Sequence, residues 1–264
     1  MEEFLLVDKA IEAALRAGNR IREVYSTPDF FVEQKEDQTP VTLADHLAHQ
    51  EISQILNATD IPVLSEEGSH ANYSERQNWE KLWLVDPLDG TKEFIKRNDE
   101  FTVNIALIAN GHPVAGVVYA PVFDTLYVGI VGLGAWRIQS PPDFLSFQQI
   151  QKNGIQLPDQ QLVGKIIVLL SRSHMNGQTE EYIRQLRQKN GNIELQSKGS
   201  SLKLCMIAEG SASTYPKLGI TMEWDTAAGH ALLLASGKNI FLPDLQTELI
   251  YNKENLQNPH FIAL

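Results

Sequence analysis

Residues 83–94 read Trp-Leu-Val-Asp-Pro-Leu-Asp-Gly-Thr-Lys-Glu-Phe, so an apolar strand leads directly into two carboxylates three positions apart. Pro87 has a fixed φ and no N–H, and we expect it to end the strand and turn Asp86 and Asp89 to one side. The carbonyl of Leu88 is expected to point the same way. Oxygen ligands of this kind suit Mg²⁺, so the stretch predicts a metal site.

The next two residues predict a place for an anion beside that metal. Gly90 lets the backbone approach closely, and the N–H groups of Gly90 and Thr91 would open the following helix toward a phosphate. Asp-x-x-Asp alone is weak support, because turns and helix N-caps also collect aspartates. The flanking strand and the Gly-Thr helix start favour the metal interpretation here.

Two further acidic stretches support metal binding. Residues 64–68 read Leu-Ser-Glu-Glu-Gly after a short apolar run, and residues 223–230 read Glu-Trp-Asp-Thr-Ala-Ala-Gly-His at the start of an apolar helix. Glu66 and Asp225 are the candidate ligands. Glu67 is the alternative to Glu66, because adjacent side chains diverge on an extended backbone.

The charge composition excludes one class of partner. The 264 residues include 22 basic and 33 acidic side chains, which gives a net charge of −11, and no basic stripe with interleaved aromatics is visible. A nucleic-acid polymer is therefore not an expected partner. The length is ample for a buried core, in one large domain or two modest ones.

Cysteine use and hydropathy predict a cytoplasmic setting. Cys205 is the only cysteine, so it has no disulfide partner and no second thiol at metal spacing. No apolar stretch approaches the length needed to cross a bilayer. We expect a protein without a transmembrane segment in the reducing cytoplasm. Peripheral association with the inner membrane face is left open, as is the choice between monomer and homodimer.

The hydrophobic pattern changes character along the chain. Amphipathic helices are predicted over residues 2–25 and 42–56, the second with Thr42 as its N-cap, and an antiparallel meander is predicted between residues 82 and 138. After residue 140 strands and helices alternate, up to a final helix over residues 226–236. The first half therefore reads as α+β and the second half as layered α/β.

A domain boundary is placed near residues 140–160. Residues 141–161 are rich in Pro and Gln and are interpreted as either a linker or a surface loop. We expect an α+β metal- and phosphate-binding domain with an antiparallel sheet over residues 1–145. Residues 146–264 are expected to form an α/β substrate-recognition domain.

Two further residues complete a plausible reaction centre. Asp45 falls near the start of the second predicted helix, and Thr91 carries the only hydroxyl of the Asp-Gly-Thr turn. A carboxylate bonded to a threonine hydroxyl could orient a metal-bound water for in-line attack on phosphorus. If the candidate carboxylates converge, they repel by about 3 kcal/mol per pair at roughly 5 Å and an effective dielectric of about 20. Such a cluster needs cations, which is a second reason to expect Mg²⁺.

The motifs together resemble a known family. Residues 86–91 (Asp-Pro-Leu-Asp-Gly-Thr) and 224–229 (Trp-Asp-Thr-Ala-Ala-Gly) look like the paired signatures of the lithium-sensitive, Mg²⁺-dependent phosphatases that include inositol monophosphatase. Within that superfamily, residues 89–97 and the Ser-Arg-Ser-His of residues 171–174 resemble the bacterial CysQ type of 3′(2′),5′-bisphosphate nucleotidase. The resemblance extends over most of the chain and implies the layered α/β/α/β/α sandwich of the sugar-phosphatase type.

The resemblance implies two or three Mg²⁺ ions per active site. Glu66 and Asp86, with the backbone carbonyl of Leu88, would hold one ion. Asp86, Asp89 and Asp225 would hold a second. Glu66 would also help to place a third.

The same resemblance implies the catalytic pair and the reaction. Asp45 and Thr91 match the residues that activate the nucleophilic water, and the N–H groups of Gly90 and Thr91 would bind the scissile phosphate. The implied reaction is hydrolysis of the 3′-phosphate of adenosine 3′,5′-bisphosphate to AMP and phosphate, with the sulfated relative of that nucleotide as a further candidate substrate. The alternatives are an inositol monophosphatase or sugar bisphosphatase on the same scaffold and, from a different class, a catalytically inactive nucleotide-binding protein.

Contacts to the nucleotide are implied by a Ser-x-x-Lys segment and a nearby Arg in the relatives. The segment matches Ser200 to Lys203 in this sequence. The expected Arg falls near Lys217, a departure that loses bidentate phosphate geometry and leaves the binding of the 5′-phosphate open. His174 is interpreted either as a nucleotide contact or as a plain loop residue after a strand.

Overall fold

Seven strands form one large sheet in the computed structural model of the chain, which describes residues 2–28, 32–34, 40–172 and 176–264. The strands of the chain are β1 (Val32–Gln34), β2 (Pro40–Thr42), β3 (Val63–Ser65), β4 (Lys81–Asp89), β5 (Thr102–Ala109), β6 (His112–Ala120), β7 (Thr125–Ile130), β8 (Gly134–Gln139), β9 (Ile155–Leu157), β10 (Ile167–Ser171), β11 (Glu194–Lys198), β12 (Tyr215–Lys217), β13 (Ile240–Phe241) and β14 (Phe261–Ala263). The helices are α1 (Glu2–Tyr25), α2 (Leu43–Leu56), α3 (Tyr73–Arg76), α4 (Thr91–Ile95), α5 (Phe147–Asn153), α6 (Gly177–Asn190), α7 (Leu202–Glu209) and α8 (Ala227–Ala235).

The large sheet has the strand order β3-β4-β5-β6-β7-β8-β9. Strands β3 and β4 are parallel, and each later neighbour is antiparallel. The run from β4 to β8 is the predicted meander. Its strands are buried along most of their length because helices cover both faces.

Helices α1 and α2 cover one face of this sheet. They contact each other and strands β4, β5 and β6, and their apolar faces contribute to the larger of the two main core clusters. Thr42 is the N-cap of α2: its hydroxyl accepts from the N–H of Ala44 at 3.2 Å, and its own N–H donates to Asp45 at 2.7 Å. Both helices and the Thr42 cap confirm the prediction from the sequence.

Helices α7 and α8 cover the opposite face. Gly116 of β6 lies against α8, and a Cβ atom added there would stand 2.3 Å from the carbonyl oxygen of Ala228. The absence of a side chain at this position lets the helix backbone approach the sheet closely.

A second β layer lies beyond these helices. Strands β10 and β11 are parallel, and a bridge between Val168 and Thr214 joins them to the three-stranded sheet β12-β14-β13. Helix α6 closes the outer side through an apolar cluster of Val168, Leu170, Ile183 and Ile193. The order α, β, α, β, α confirms the predicted layered sandwich.

The prediction that Pro87 ends its strand was wrong. Strand β4 continues to Asp89, and its pairing with β5 shifts register between Asp86 and Asp89. An irregularity of this kind accommodates a residue that has no N–H to donate, and it also re-aims neighbouring side chains. The bulge therefore separates the two carboxylates without terminating the sheet.

The segment 141–161 contains regular structure. Helix α5 begins after Ser146, whose backbone N–H donates to the Gln149 side chain at 2.8 Å in a capping box. Strand β9 then pairs with β8 as an edge of the large sheet. The division of the chain at residue 145 stays a prediction. Among the described residues, no helix combines the length and the apolar character needed to cross a membrane.

Candidate active site

Three carboxylates from separate parts of the chain meet at one end of the large sheet. Glu66 follows β3, Asp86 lies in β4, and Asp225 ends the short 3₁₀ turn Glu223–Asp225 that precedes α8. One oxygen from each lies within 4.8 Å of the other two. Because β3 and β4 are parallel, residues that follow their paired ends meet at the same edge.

The electrostatics of this cluster are unfavourable without a cation. Burial, followed by repulsion from Glu66 and Asp89, raises the pKa of Asp86 well above its ordinary value. Burial and then repulsion from Asp89 and Glu66 raise the pKa of Asp225 in the same way. Clustered hard oxygen donors of this kind fit a divalent cation such as Mg²⁺.

Asp89 is held in place by α7 and β5. Its Oδ2 accepts from the N–H of Ser201 at 2.7 Å, and it lies 3.0 Å from the Ser201 hydroxyl and 3.3 Å from the amide of Asn104. The Asn104 amide also donates to Ser201 at 2.9 Å. Burial raises the pKa of Asp89, although Lys203 and these hydrogen bonds oppose the shift. Asp89 lies outside the group of three but close enough to Asp86 and Asp225 to raise the pKa of both.

Asp45 and Thr91 lie in hydrogen-bond contact. The Thr91 hydroxyl is 3.1 Å from Oδ1 of Asp45 and 3.3 Å from the Leu88 carbonyl oxygen. Oδ2 of Asp45 accepts from the backbone N–H and the hydroxyl of Thr42, so one carboxylate serves both the helix cap and Thr91. Burial raises the pKa of Asp45 to about 6, with repulsion from Glu67 contributing.

The turn that carries Asp225 is fixed by the C-terminal segment. Glu223 is fully buried, and its carboxylate accepts from the N–H groups of Asn252 at 2.6 Å and Lys253 at 3.0 Å. The Asn258 amide donates to the Met222 carbonyl at 2.7 Å, and the Met222 N–H donates to Asp225 at 2.8 Å. These contacts hold Asp225 in place before any ligand binds.

A cleft beside the cluster is basic on its other side. Besides Asp89, Gly90 and Asp225, it is lined by the cationic side chains of Lys92, Arg172, Lys198, Lys203 and Lys217. Lys203 and Lys217 are buried, and burial lowers the pKa of Lys203 to about 8 and also lowers that of Lys217. Acidic and basic walls therefore share one cleft.

Comparison with known proteins places this geometry in a family. The family model of the inositol monophosphatase family matches residues 4–260. The chain belongs to this family. The 3′(2′),5′-bisphosphate nucleotidase CysQ of Escherichia coli K12 is 44% identical over 261 residues, which cover 97% of this chain and 98% of that protein.

Solved structures of family members agree. CysQ from Bacteroides thetaiotaomicron superposes with a TM-score of 0.88 at 46% identity, over 97% of this chain and 95% of that chain. An inositol monophosphatase from Anabaena superposes with a TM-score of 0.71 at 27% identity, over 97% of this chain and 88% of that chain.

The structure of this family member brings together most of the residues that the sequence singled out. Glu66 joins the carboxylate cluster, whereas Glu67 acts electrostatically on Asp45, so Glu66 is the better candidate ligand of the two. Ser200 lines the cleft with Lys203 and Lys217. His174 lies outside the described residues.

Sequence reasoning missed several residues of the site. Ser201 and Asn104 anchor Asp89, yet they are 97 positions apart in the chain. Arg172 and Glu100 form an ion pair at the cleft, and only the Ser-Arg-Ser-His run drew attention to Arg172. Asn104 lies two positions beyond Thr102 in β5, a spacing that places both side chains on one face of the sheet.

We expect Mg²⁺ to bind more tightly as the pH rises. The raised pKa values of Asp86 and Asp225 mean that these carboxyls hold their protons to a higher pH than an ordinary aspartate does, and a cation must displace those protons. A higher pH removes the protons in advance. Calorimetric titration in two buffers of different ionisation enthalpy measures the protons released. An affinity independent of pH, with no proton release, would show that the carboxyls are already ionised before binding.

Proposed function

We propose that this chain is a Mg²⁺-dependent 3′(2′),5′-bisphosphate nucleotidase that hydrolyses the 3′-phosphate of adenosine 3′,5′-bisphosphate to AMP and phosphate. The observation that carries the proposal is the two-sided cleft, in which the carboxylate cluster faces buried lysines. A bound cation would neutralise the acidic side of the cleft, and a second anionic group on the substrate would pair with the basic side. The sulfated relative of this nucleotide is a further candidate substrate, because it keeps both features.

The proposed metal ligands are the three carboxylates of the cluster, the carboxylate of Asp89 and one carbonyl. They are Glu66, Asp86, Asp89 and Asp225 with the backbone oxygen of Leu88, and the proposal includes two or three Mg²⁺ ions. When bound, Mg²⁺ neutralises the phosphate charge and lowers the pKa of a coordinated water. In this protein of net charge −11, that neutralisation is needed before an anionic substrate can approach the acidic side.

Thr91 and Asp45 are proposed to receive the proton of the attacking water. The Thr91 hydroxyl donates to Asp45 and keeps its lone pairs for a hydrogen bond from that water. With a pKa of about 6, Asp45 is mostly ionised at neutral pH and can act as the proton acceptor. The water oxygen bonds to phosphorus as the bond to the ribose 3′-oxygen breaks, and that oxygen takes a proton from solvent to become the 3′-hydroxyl of AMP.

The remaining proposed contacts bind the substrate. Gly90 and Thr91 are proposed to donate their N–H groups to the scissile phosphate. Ser200, Lys203 and Lys217 line the cleft at the place proposed for the rest of the nucleotide, and His174 stays a proposed contact. We also propose a cytoplasmic location and a monomeric or homodimeric state.

Inositol monophosphatase or sugar bisphosphatase activity is the closest rival on the same scaffold. The metal ligands would be the same in each case, so only the basic side of the cleft can distinguish the substrates of these activities. A monophosphate whose only charged group is bound at the metals places no second anion at the basic side of the cleft. A catalytically inactive nucleotide-binding protein would not require the Asp45–Thr91 contact.

Phosphate release from adenosine 3′,5′-bisphosphate and inositol 1-phosphate, measured side by side in Mg²⁺, tests the proposal. We expect strong preference for the nucleotide and inhibition by Li⁺. Preference for inositol phosphate would support the rival activity on the same metal centre. Binding of the nucleotide without phosphate release would support the inactive binding protein.

A further inference from the structure

A buried carboxylate outside the metal cluster joins two cations of the basic wall. Glu100 accepts from Nε and Nη2 of Arg172 at 2.8 and 2.7 Å and forms an ion pair with Lys198 at 3.1 Å. The N–H of Gly199 donates to the same carboxylate at 2.8 Å. We call Glu100, Arg172 and Lys198 the rim triad.

The charges of the rim triad do not cancel. Glu100 has a side chain that is only 7% exposed, and one cation would suffice to neutralise it. Two cations leave one positive charge in excess within the triad, and both Arg172 and Lys198 line the cleft, where the carboxylate of Glu93 also acts on Arg172. Burial opposes ionisation of Glu100, but the hydrogen bonds from Arg172 and Lys198 outweigh it and lower its pKa, so the carboxylate stays charged.

Arg172 keeps donors for a ligand. A guanidinium has five N–H donors, and among the described residues Glu100 occupies one on Nε and one on Nη2, which leaves both hydrogens of Nη1 and one of Nη2. The bidentate contact with Glu100 fixes the plane of the guanidinium. Arg172 therefore presents an oriented fork at the cleft, which neither Lys203 nor Lys217 can do.

The ammonium group of Lys203 already donates to two backbone carbonyls. The acceptors are the carbonyl oxygens of Lys198 at 3.1 Å and Ser200 at 2.7 Å, and the ammonium lies 5.1 Å from the centre of the Tyr215 ring. These contacts hold the loop between β11 and α7 in shape. Its remaining charge acts on Asp89, at the acidic side of the cleft.

The rim triad lies close to the metal cluster. Thr102 pairs with Asp89 across strands β4 and β5, and Glu100 precedes Thr102 by two residues, at most about 7 Å along an extended chain. Gly199 lets the loop between β11 and α7 pack closely against Glu100, because a Cβ atom added there would stand 2.6 Å from the carbonyl oxygen of Glu100. An anion at Arg172 and a phosphate at the metal cluster can thus belong to one small molecule.

We propose that Arg172, with Lys198, binds the second phosphate of the substrate, and that Glu100 is the positioning residue that orients both cations. The inference rests on the proposed function, since it assigns the bisphosphate preference to particular side chains.

The test compares kcat/KM for adenosine 3′,5′-bisphosphate with that for adenosine 3′-monophosphate, which lacks the second phosphate. We expect Arg172→Met to lower the ratio of the two values by about tenfold or more. Glu100→Gln should lower the ratio in the same direction, mainly by raising KM for the bisphosphate with less effect on kcat. The exposed ion pair of Glu181 and Arg184 on α6 provides matched controls, and Glu181→Gln and Arg184→Met should keep the wild-type ratio.

The outcomes separate this inference from the function on which it rests. A wild-type protein that turns over both nucleotides equally would overturn the proposed function and the inference together. A wild-type preference for the bisphosphate that survives in Arg172→Met would overturn the inference alone. Equal losses for both nucleotides in Glu100→Gln, with an unchanged ratio in Arg172→Met, would reduce the rim triad to a structural ion pair.

Discussion

Asp89→Asn is expected to reduce kcat by a factor of about a thousand or more while the protein stays folded. The donors of Ser201 and Asn104 would hold the amide oxygen of the new side chain where Oδ2 lies now. The amide NH₂ group would then face the cluster, and it offers a cation two hydrogens in place of a lone pair. Phosphate release in saturating Mg²⁺ measures the loss.

Thermal unfolding separates a metal defect from a folding defect in this variant. The metal-free melting temperature should stay within about 5 °C of the wild type, and the rise that Mg²⁺ causes in the wild type should be largely lost. Asp124→Asn is the matched control, because Asp124 pairs with Arg22 away from the cleft. Normal turnover by Asp89→Asn would refute the assignment of Asp89 as a metal ligand.

Local sequence signals predicted the acidic side of the site well. Asp86 and Asp89 follow an apolar strand, and Thr42 caps the helix that carries Asp45. Each signal lies within a few residues of the side chain that it places. The contact between Asp45 and Thr91 spans 46 positions, so spacing alone could not show that the two residues meet.

The basic side was predicted less completely for a physical reason. The rim triad combines the loop before β5 with the ends of β10 and β11, so it depends on how the second β layer is placed against the first. Nothing in the residues around Glu100 identifies its partners. The composition also hides a positively charged patch, because over the whole chain the 33 acidic residues outnumber the 22 basic ones.

The errors in the predicted fold occurred where the local sequence is compatible with more than one backbone structure. Pro87 was expected to end β4, but a register shift accommodates a proline equally well. Residues 141–161 looked irregular because they are rich in Pro and Gln, yet the Ser146–Gln149 capping box starts a helix within them. The box follows the pattern of serine and a glutamine three residues later, so that signal was present in the sequence.

The two sides of the cleft have different relations to pH. Raised pKa values on the acidic side mean that a low pH weakens metal binding, whereas the lowered pKa of Lys203, about 8, means that a high pH discharges part of the basic side. The carboxylates of the acidic side and Lys203 of the basic side are both fully charged only between the pH at which the carboxyls lose their protons and the pH at which Lys203 loses its own. Turnover of an anionic substrate should therefore be greatest in that interval.

Thr91→Val is expected to lower kcat by a factor of roughly 100 to 10,000 with little change in the affinity for Mg²⁺. Valine keeps the shape of threonine but removes the hydroxyl that links the attacking water to Asp45. Asp45→Asn is a less specific variant, because Asp45 also accepts from Thr42 at the start of α2 and its replacement would loosen that helix. Single-turnover phosphate release measures the chemical step, and calorimetry measures Mg²⁺ binding.

The pH profile of the same variant distinguishes a proton acceptor from a purely structural contact. In the wild type, kcat should fall as the pH drops through about 6, because protonation of Asp45 removes its capacity to take a proton. In Thr91→Val that limb should flatten, since the residual reaction no longer passes its proton through the threonine hydroxyl. Thr125→Val removes a hydroxyl bonded to Phe123 and Gln139 and should leave kcat unchanged. A Thr91→Val protein with wild-type kcat and an unchanged acid limb would exclude Thr91 from the proton path.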